Sequence, residues 1–424
     1  MHKPSSNWLL FNSLSTNGNL TPDLSQACKS LKAALVYILL FTVIFFNGWA
    51  VMEKLSAPLF IGSQIYRGSS YGAKHPLSIP RVPTVMDLCD ALGWLPQTQY
   101  RNSPRAKQAA LEGFHEPRYL AALQAAEQTG QVSDEVRNRH HIGTISNPVF
   151  GEMFRRPATA VGGSLLATDL LQKGGIVYNP GGGTHHGMPD RASGFCYLND
   201  PVLAVQAFFK QGLERIAYVD IDAHHCDGVE AALGGVSGML LVSTHEERRW
   251  PFTGRIEDNA GGVALNIPLP KDTNDSEFGA VLESIILPAV AKHRPQVIVL
   301  QCGADAVLED PLSRLALSNN AHWQAVSALK SMAPRLLVLG GGGYNPWTVG
   351  RLWTGVWAIL NDFHIPDLLP EPAQSILKNL TWGRQALPQS NLLTTLRDIP
   401  RTGNVRQIIR DRISVLEPRL KREI

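Results

Sequence analysis

Cysteine is scarce in this 424-residue chain, and what there is stands apart. Cys28, Cys89, Cys196, Cys226 and Cys302 are odd in number and include no Cys-x-x-Cys. That excludes a disulfide scaffold and a structural zinc knuckle, and it is the usage of a reducing, cytoplasmic compartment. An excess of one charge is missing too, since 39 Lys+Arg against 36 Asp+Glu leave a net +3. A nucleic-acid binder carries a basic domain or stripe, so no nucleic-acid partner is expected. Internal repeats and low-complexity segments are also lacking. The chain is 44% apolar, enough for a sizeable core and too much for a fibrous or disordered protein.

Residues 1–32 are rich in Ser, Asn and Leu without a clear period, and disorder is expected there. From Ala33 to Met52 runs AALVYILLFTVIFFNGWAVM, twenty residues without a charge. This is long enough for a bilayer-spanning anchor. Two other readings stand beside it: the apolar part of a signal peptide, or an upstream extension ahead of a true start at Met52. Lys29 and Lys32 on one side and Lys54 and Arg67 on the other orient such an anchor poorly.

Beyond Met52, continuous apolar runs alternate with amphipathic ones. GIVYN (175–179), RIAYVDID (215–222), GMLLVSTH (238–245), VIVLQCG (297–303) and RLLVLGG (335–341) read as strands. Helical patterns such as DPVLAVQAFFKQG and NNAHWQAVSALKSM lie between several of them. The expected fold is α/β, a central parallel β-sheet with helices on both faces and a single catalytic domain over 57–370. Residues 371–424 turn Pro-rich and then basic, and read as a helical extension docked on that domain.

Ligands of open parallel sheets bind beyond the carboxyl ends of the strands. Those ends carry NPGGGTHHGMPD, DIDAHHCDG, CGADA and GGGGYN, so four of them deliver His, Asp and Tyr to one edge. Because side chains alternate along a strand, Asp220, Asp222 and His224 are expected on one face of its end. Two carboxylates and an imidazole together call for a divalent cation, with Asp305 as a further ligand. The bland alternative is that these aspartates are turn and cap residues. The tandem His185-His186 follows three glycines, and Asp220 and Asp227 are the available partners to fix each tautomer. Tyr344, after Gly340 to Gly343, either offers a phenol to a developing oxyanion or belongs to a plain loop. No Gly-Lys-Ser/Thr or GxGxxG accompanies that glycine run, so it is not a phosphate cradle.

These stretches, together with ASGFCYLND and QCGADAVLEDPLSRLALS, resemble the zinc-dependent histone deacetylase family, including its bacterial acetoin-utilisation and acetylpolyamine amidohydrolase branches. The resemblance spans roughly Leu59 to Leu360 and implies the arginase/deacetylase fold. It implies one Zn2+ per chain on Asp222, His224 and Asp305, and an aspartate-rich donor set also admits Fe2+. It makes His186 with Asp227 the general base and then acid, and His185 with Asp220 its electrostatic partner. Tyr344 would polarise the acyl carbonyl. Gly194, Phe195, Leu312 and Gly342 would meet the substrate, and Arg81 in HPLSIPR would be the inner-channel arginine. A structural K+ or Na+ is implied near Asp220, Asp222, His224, Ser243 and Thr244.

The chain departs from the family pattern at several points. Cys226 replaces a usual glycine: it is strained if that position needs a positive φ, and an oxidisable thiol if it faces the pocket. Ser146 takes the place of a rim aspartate. THEERRWPFTG lacks the eukaryotic tunnel phenylalanine and brings Glu246 and Glu247 near, where they could favour a cationic substrate or simply form a solvated face. Leu312 stands where polyamine-selective relatives carry glutamate. The expected activity is metal-dependent hydrolysis of an acetyl or short acyl amide, with an acetylated lysine peptide as substrate ahead of a small acetylated amine. The rivals are a two-metal ureohydrolase and a catalytically silent acyl-lysine binder or membrane-tethered scaffold.

Overall fold

The structure is a computed structural model and describes residues 57–383 and 388–421. The apolar run 33–52 and the segment 1–32 lie outside the described residues. Among the described residues, no helix is long and apolar enough to cross a membrane.

Eight strands form one sheet: β1 (Leu59–Gly62), β2 (Tyr100–Asn102), β3 (Gly175–Asn179), β4 (Ile216–Asp220), β5 (Met239–Glu246), β6 (Ala264–Leu269), β7 (Val297–Gln301) and β8 (Arg335–Leu339). Their order is β2-β1-β3-β8-β7-β4-β5-β6, and every pairing is parallel. Alternation along the strands divides the core between the two faces. Ala217, Val219, Leu240, Val242, Ile298 and Leu300 pack on one side with Trp353 and Trp357. Ile216, Tyr218, Met239, Leu241, Val297 and Val299 pack on the other with Val202 and Phe208. Burial on both faces is why these strands read as unbroken apolar runs.

Helices return the chain between strands, and their starts are locally encoded. Asn199 accepts from Val202 N to cap the helix Asp200–Lys210. Asn345 accepts from Trp347 N and Thr348 N at the head of Pro346–Leu360, where proline costs nothing because the first N–H groups are unpaired anyway. Asn274 and Glu277 form a reciprocal capping box. Asn274 and Asn345 follow closely on the ends of β6 and β8, so those helices start on the edge that carries the polar motifs.

The residues after 388 are held to this body by arginines. Arg351, fully buried in the helix Pro346–Leu360, lies 2.7 Å from Asp398. Arg406 meets Glu277, Arg412 meets Glu247, and Arg401 pairs with Glu309. The helix Gln407–Lys421 buries Ile409 and Leu416, while Ile408 and Val415 stay exposed among its charged residues.

Removing one partner of a buried ion pair strands the other charge. Asp398→Ala is therefore expected to destabilise the protein by about 3–5 kcal/mol, read as a lowered midpoint in chemical denaturation. Replacing both residues by apolar ones should restore most of that loss. If the single variant is as stable as the parent, the pair does not hold the tail.

Candidate active site

The ends of β3, β4, β7 and β8 open into one site, but not by the expected alternation along a strand. β4 stops at Asp220, so Asp222 and His224 sit in the loop that follows. Backbone amides aim them. Asp222 Oδ2 accepts from Gly342 N at 2.6 Å and its Oδ1 from His224 N at 2.9 Å. Asp305 Oδ1 accepts from Ala223 N at 2.9 Å. His224 Nδ1 then lies 2.8 Å from Asp305 Oδ2 and 3.3 Å from Asp222 Oδ1. The ligand atoms of all three residues fall within 4.8 Å of one another, and all three are buried.

Glycine is obligatory around this trio. A Cβ at Gly342 would stand 2.1 Å from Asp305 Oδ2, and one at Gly303 would stand 2.0 Å from Asp222 Oδ2. Gly342 is thus placed beside the two carboxylates rather than along the cavity wall. Burial and the charge of Asp222 push Asp305 up to about 6. Burial also opposes ionisation of Asp222, yet His185 and His224 hold it well below the usual carboxylate range. Two carboxylate oxygens and one imidazole nitrogen, fixed by backbone and converging, fit one divalent cation with a coordination position to spare.

The histidine pair is held as expected. His185 Nδ1 is 2.8 Å from Asp220 Oδ2, and His186 Nδ1 is 2.6 Å from Asp227 Oδ1. Their ring centroids are 4.0 Å apart. Burial acts to lower His185, but Asp220 and Asp222 outweigh it and raise the imidazole to about 9. For His186, burial and the neighbouring His185 prevail over Asp227 and lower it to about 4. Burial and charge thus bias one ring toward the cation and the other toward the neutral form, an arrangement that separates an electrostatic role from a basic one.

Tyr344 is positioned by Asp310, a residue the motif reading passed over. Asp310 Oδ2 accepts from Tyr344 N at 2.7 Å, and its Oδ1 accepts from Leu312 N at 2.9 Å. Burial holds the Tyr344 phenol well above its ordinary value, so it is a donor. Arg81 donates to Gly341 O at 2.6 Å and lies over the Trp353 ring.

A cavity of about 730 Å³ leads to this floor, with Gly194, Phe195, Leu312, Tyr344, His186 and Trp250 in its walls. Trp250 was also missed, since only the two glutamates and the absence of phenylalanine were read from that segment. Its ring lies edge-on to His186 at 4.6 Å. A Cβ at Gly194, whose φ is +52°, would come within 2.3 Å of it. Ser146 lines the same cavity, and its carbonyl lies 3.1 Å from His75 Nε2.

Two expectations are corrected. Glu246 is 7% exposed, bound twice by Arg249 and once by Arg314 N, while Glu247 pairs with Arg412. Glu246 therefore forms no solvated face, Glu247 stays partly exposed beside Arg412, and neither lines the cavity. Cys226 has φ −78° and packs among Val229, Leu233 and Tyr218. It is neither strained nor turned to the pocket. Ser243 stands in register with Asp220 on β5, and Thr244 Oγ1 donates to the Asp220 carbonyl at 3.3 Å.

Fold and site together define an amide-bond hydrolase built on a parallel α/β sheet. The sequence model described as "Histone deacetylase domain" matches residues 75–360. Histone deacetylase 9 of Arabidopsis thaliana is 34% identical over 314 residues, covering 72% of this chain and 73% of that one. The acetoin utilization protein AcuC of Bacillus subtilis is 32% identical over 313 residues, covering 70% and 81%. Human histone deacetylase 1 is 32% identical over 309 residues, covering 71% of this chain but 64% of its own length. The crystal structure of an HDAC homolog from Aquifex aeolicus superposes with a TM-score of 0.81 at 35% identity, over 85% of this chain and all of that one. A structure of an HDAC homolog complexed with SAHA superposes at 0.80 with 34% identity. The chain belongs to the histone deacetylase family.

Two measurements check this geometry. Calorimetric titration of the metal-free protein with zinc should show one tight site per chain, weakened on the order of a hundredfold or more by Asp305→Ala, as loss of a charged ligand requires. In the metal-free protein, NMR titration should place His186 near pH 4. His185→Gln removes a neighbouring positive charge that opposes protonation, so it should move His186 upward. An unmoved His186 would mean that the two rings are not coupled.

Proposed function

We propose that the chain removes an acetyl or short acyl group from the side-chain amine of lysine in a peptide or protein. One observation carries this reading. A neutral, carboxylate-held imidazole and a protonated phenol face the same three-ligand metal site, at the end of a cavity walled by Phe195, Trp250 and Leu312. Such walls suit an aliphatic stem. Leu312 brings no carboxylate to a second amine, and Glu246 and Glu247 are occupied elsewhere, which weighs against acetylpolyamines as the preferred substrate.

Asp222, His224 and Asp305 would hold one zinc ion, with iron(II) as the alternative. When bound, the ion supplies Lewis acidity to the acyl carbonyl and to water. His186 Nε2 takes the proton of the attacking water, its Nδ1–H kept on Asp227. The cationic His185, held on Asp220, keeps His186 a weak base until that transfer. The Tyr344 hydroxyl donates to the oxygen that gains negative charge. His186 then returns its proton to the departing amine. A structural potassium or sodium ion near Asp220, Asp222, His224, Ser243 and Thr244 belongs to the same reading, supported by the Asp220–Ser243 register.

The zinc-loaded protein should hydrolyse an acetyl-lysine peptide faster than acetylputrescine. Tyr344→Phe should lower kcat by about 10²–10³ with little change in KM, as expected for a donor that acts chiefly in the transition state. Turnover of acetylputrescine alone would overturn the lysine reading. Peptide turnover unaffected by Tyr344→Phe would remove the phenol from the mechanism.

A further inference from the structure

The outer part of the cavity is unusual in its charge. Its lining contains two arginines, Arg191 and Arg249, and the imidazole of His141. The one carboxylate in that lining is Asp227, and it is committed to His186 at the floor. Ser146 occupies the rim position where the family resemblance places an aspartate, so no negative charge stands there either.

Both guanidiniums are held so that donors remain. Arg249 spends Nε and Nη2 on Glu246, at 2.8 and 3.1 Å. Glu246 is itself fixed by Arg314 N at 2.8 Å, and its side chain is almost fully buried. Among the described residues no acceptor meets Arg249 Nη1. Arg191 gives only Nη1, to Asp190 at 3.1 Å, and its side chain is 41% exposed. The bound carboxylate of Glu246 is turned inward, and what the cavity presents are N–H groups. Guanidinium donors fixed in this way suit a carboxylate. A polyamine chain or a Lys/Arg-rich segment would meet them without a counter-charge.

We propose that the mouth selects acyl-lysine carried in acidic sequence, with Asp or Glu beside the modified residue meeting Arg191 and Arg249. This rests on the acyl-lysine reading above and names the substrate class within it. One trans peptide step is 3.8 Å, so the side chain of a flanking residue falls at the rim when the lysine stem fills the cavity.

The test uses the zinc-loaded full chain and three acetyl-lysine peptides of equal length, flanked by Asp/Glu, by Ala/Gln or by Lys/Arg. At low salt kcat/KM should fall in that order, with acidic over basic by about tenfold and the ratio contracting at high salt as exposed charges are screened. Arg191→Gln and Arg249→Gln should each shrink the acidic-to-neutral ratio by about threefold, the scale of one partly exposed charge pair. Arg249→Lys, which keeps the charge, should retain more of the ratio than Arg249→Gln. The salt response of the unmodified protein tests the idea even if a variant misfolds. Hydrolysis of all three peptides at equal rates, or fastest with the basic one, overturns the inference and leaves lysine deacylation standing. Hydrolysis of acetylputrescine and of no peptide overturns both.

Discussion

Two buried carboxylates facing one another across a few ångströms constrain everything around them. Asp222 and Asp305 cannot both stay charged in a protein interior unless their unused lone pairs are occupied and a cation stands between them. The chain meets the first condition with main-chain amides from two segments: the loop after β4 supplies Ala223 and His224, and the loop after β8 supplies Gly342. Backbone can approach that closely only where side chains are missing, which accounts for Gly303 and Gly342. The second condition makes cation binding part of the architecture rather than an addition to it.

The same carboxylates organise the histidines. Asp222 lies 4.0 Å from His185 Nε2, close enough to help keep that ring charged, and the charged ring in turn keeps its neighbour neutral. Two chemically identical side chains, adjacent in sequence, are thus biased in opposite directions: Asp220 and Asp222 raise His185, while burial and His185 lower His186. Asp310 extends the network outward. By accepting from both Tyr344 N and Leu312 N, it ties the phenol at the floor to the apolar wall above it. A shift in that wall would be felt at the phenol.

Much of this was legible before any coordinates. The strands β3, β4, β5, β7 and β8 announce themselves because both their faces are covered, so each carries an unbroken apolar run with polar residues only toward its ends. β1 and β2 are four and three residues long, too short for any pattern. β6 is an edge strand, where Pro268 is tolerated because one side needs no ladder partner. The metal trio and the histidine pairs were readable from motifs at strand ends, although the alternation argument put Asp222 and His224 on a strand that stops two residues too soon. Asp310 and Trp250 escaped for another reason. Each acts through contacts with segments distant in sequence, Asp310 on Tyr344 and Trp250 on Gly194, and no local pattern marks such a partner. Cys226 shows the converse: a residue odd against a motif proved to be an ordinary core side chain.

The arginines of the tail give the order of synthesis a structural meaning. Arg401 grips Glu309, the neighbour of Asp310, and Asp398 neutralises Arg351 beneath the Pro346–Leu360 helix. A nascent chain emerging from the ribosome therefore carries a complete sheet before it carries the counter-charges that settle the loop behind Tyr344. Until residues 398–401 have emerged, Arg351 and Glu309 lack these partners. The partners of Arg351 and Glu309 are thus translated after every strand of the sheet.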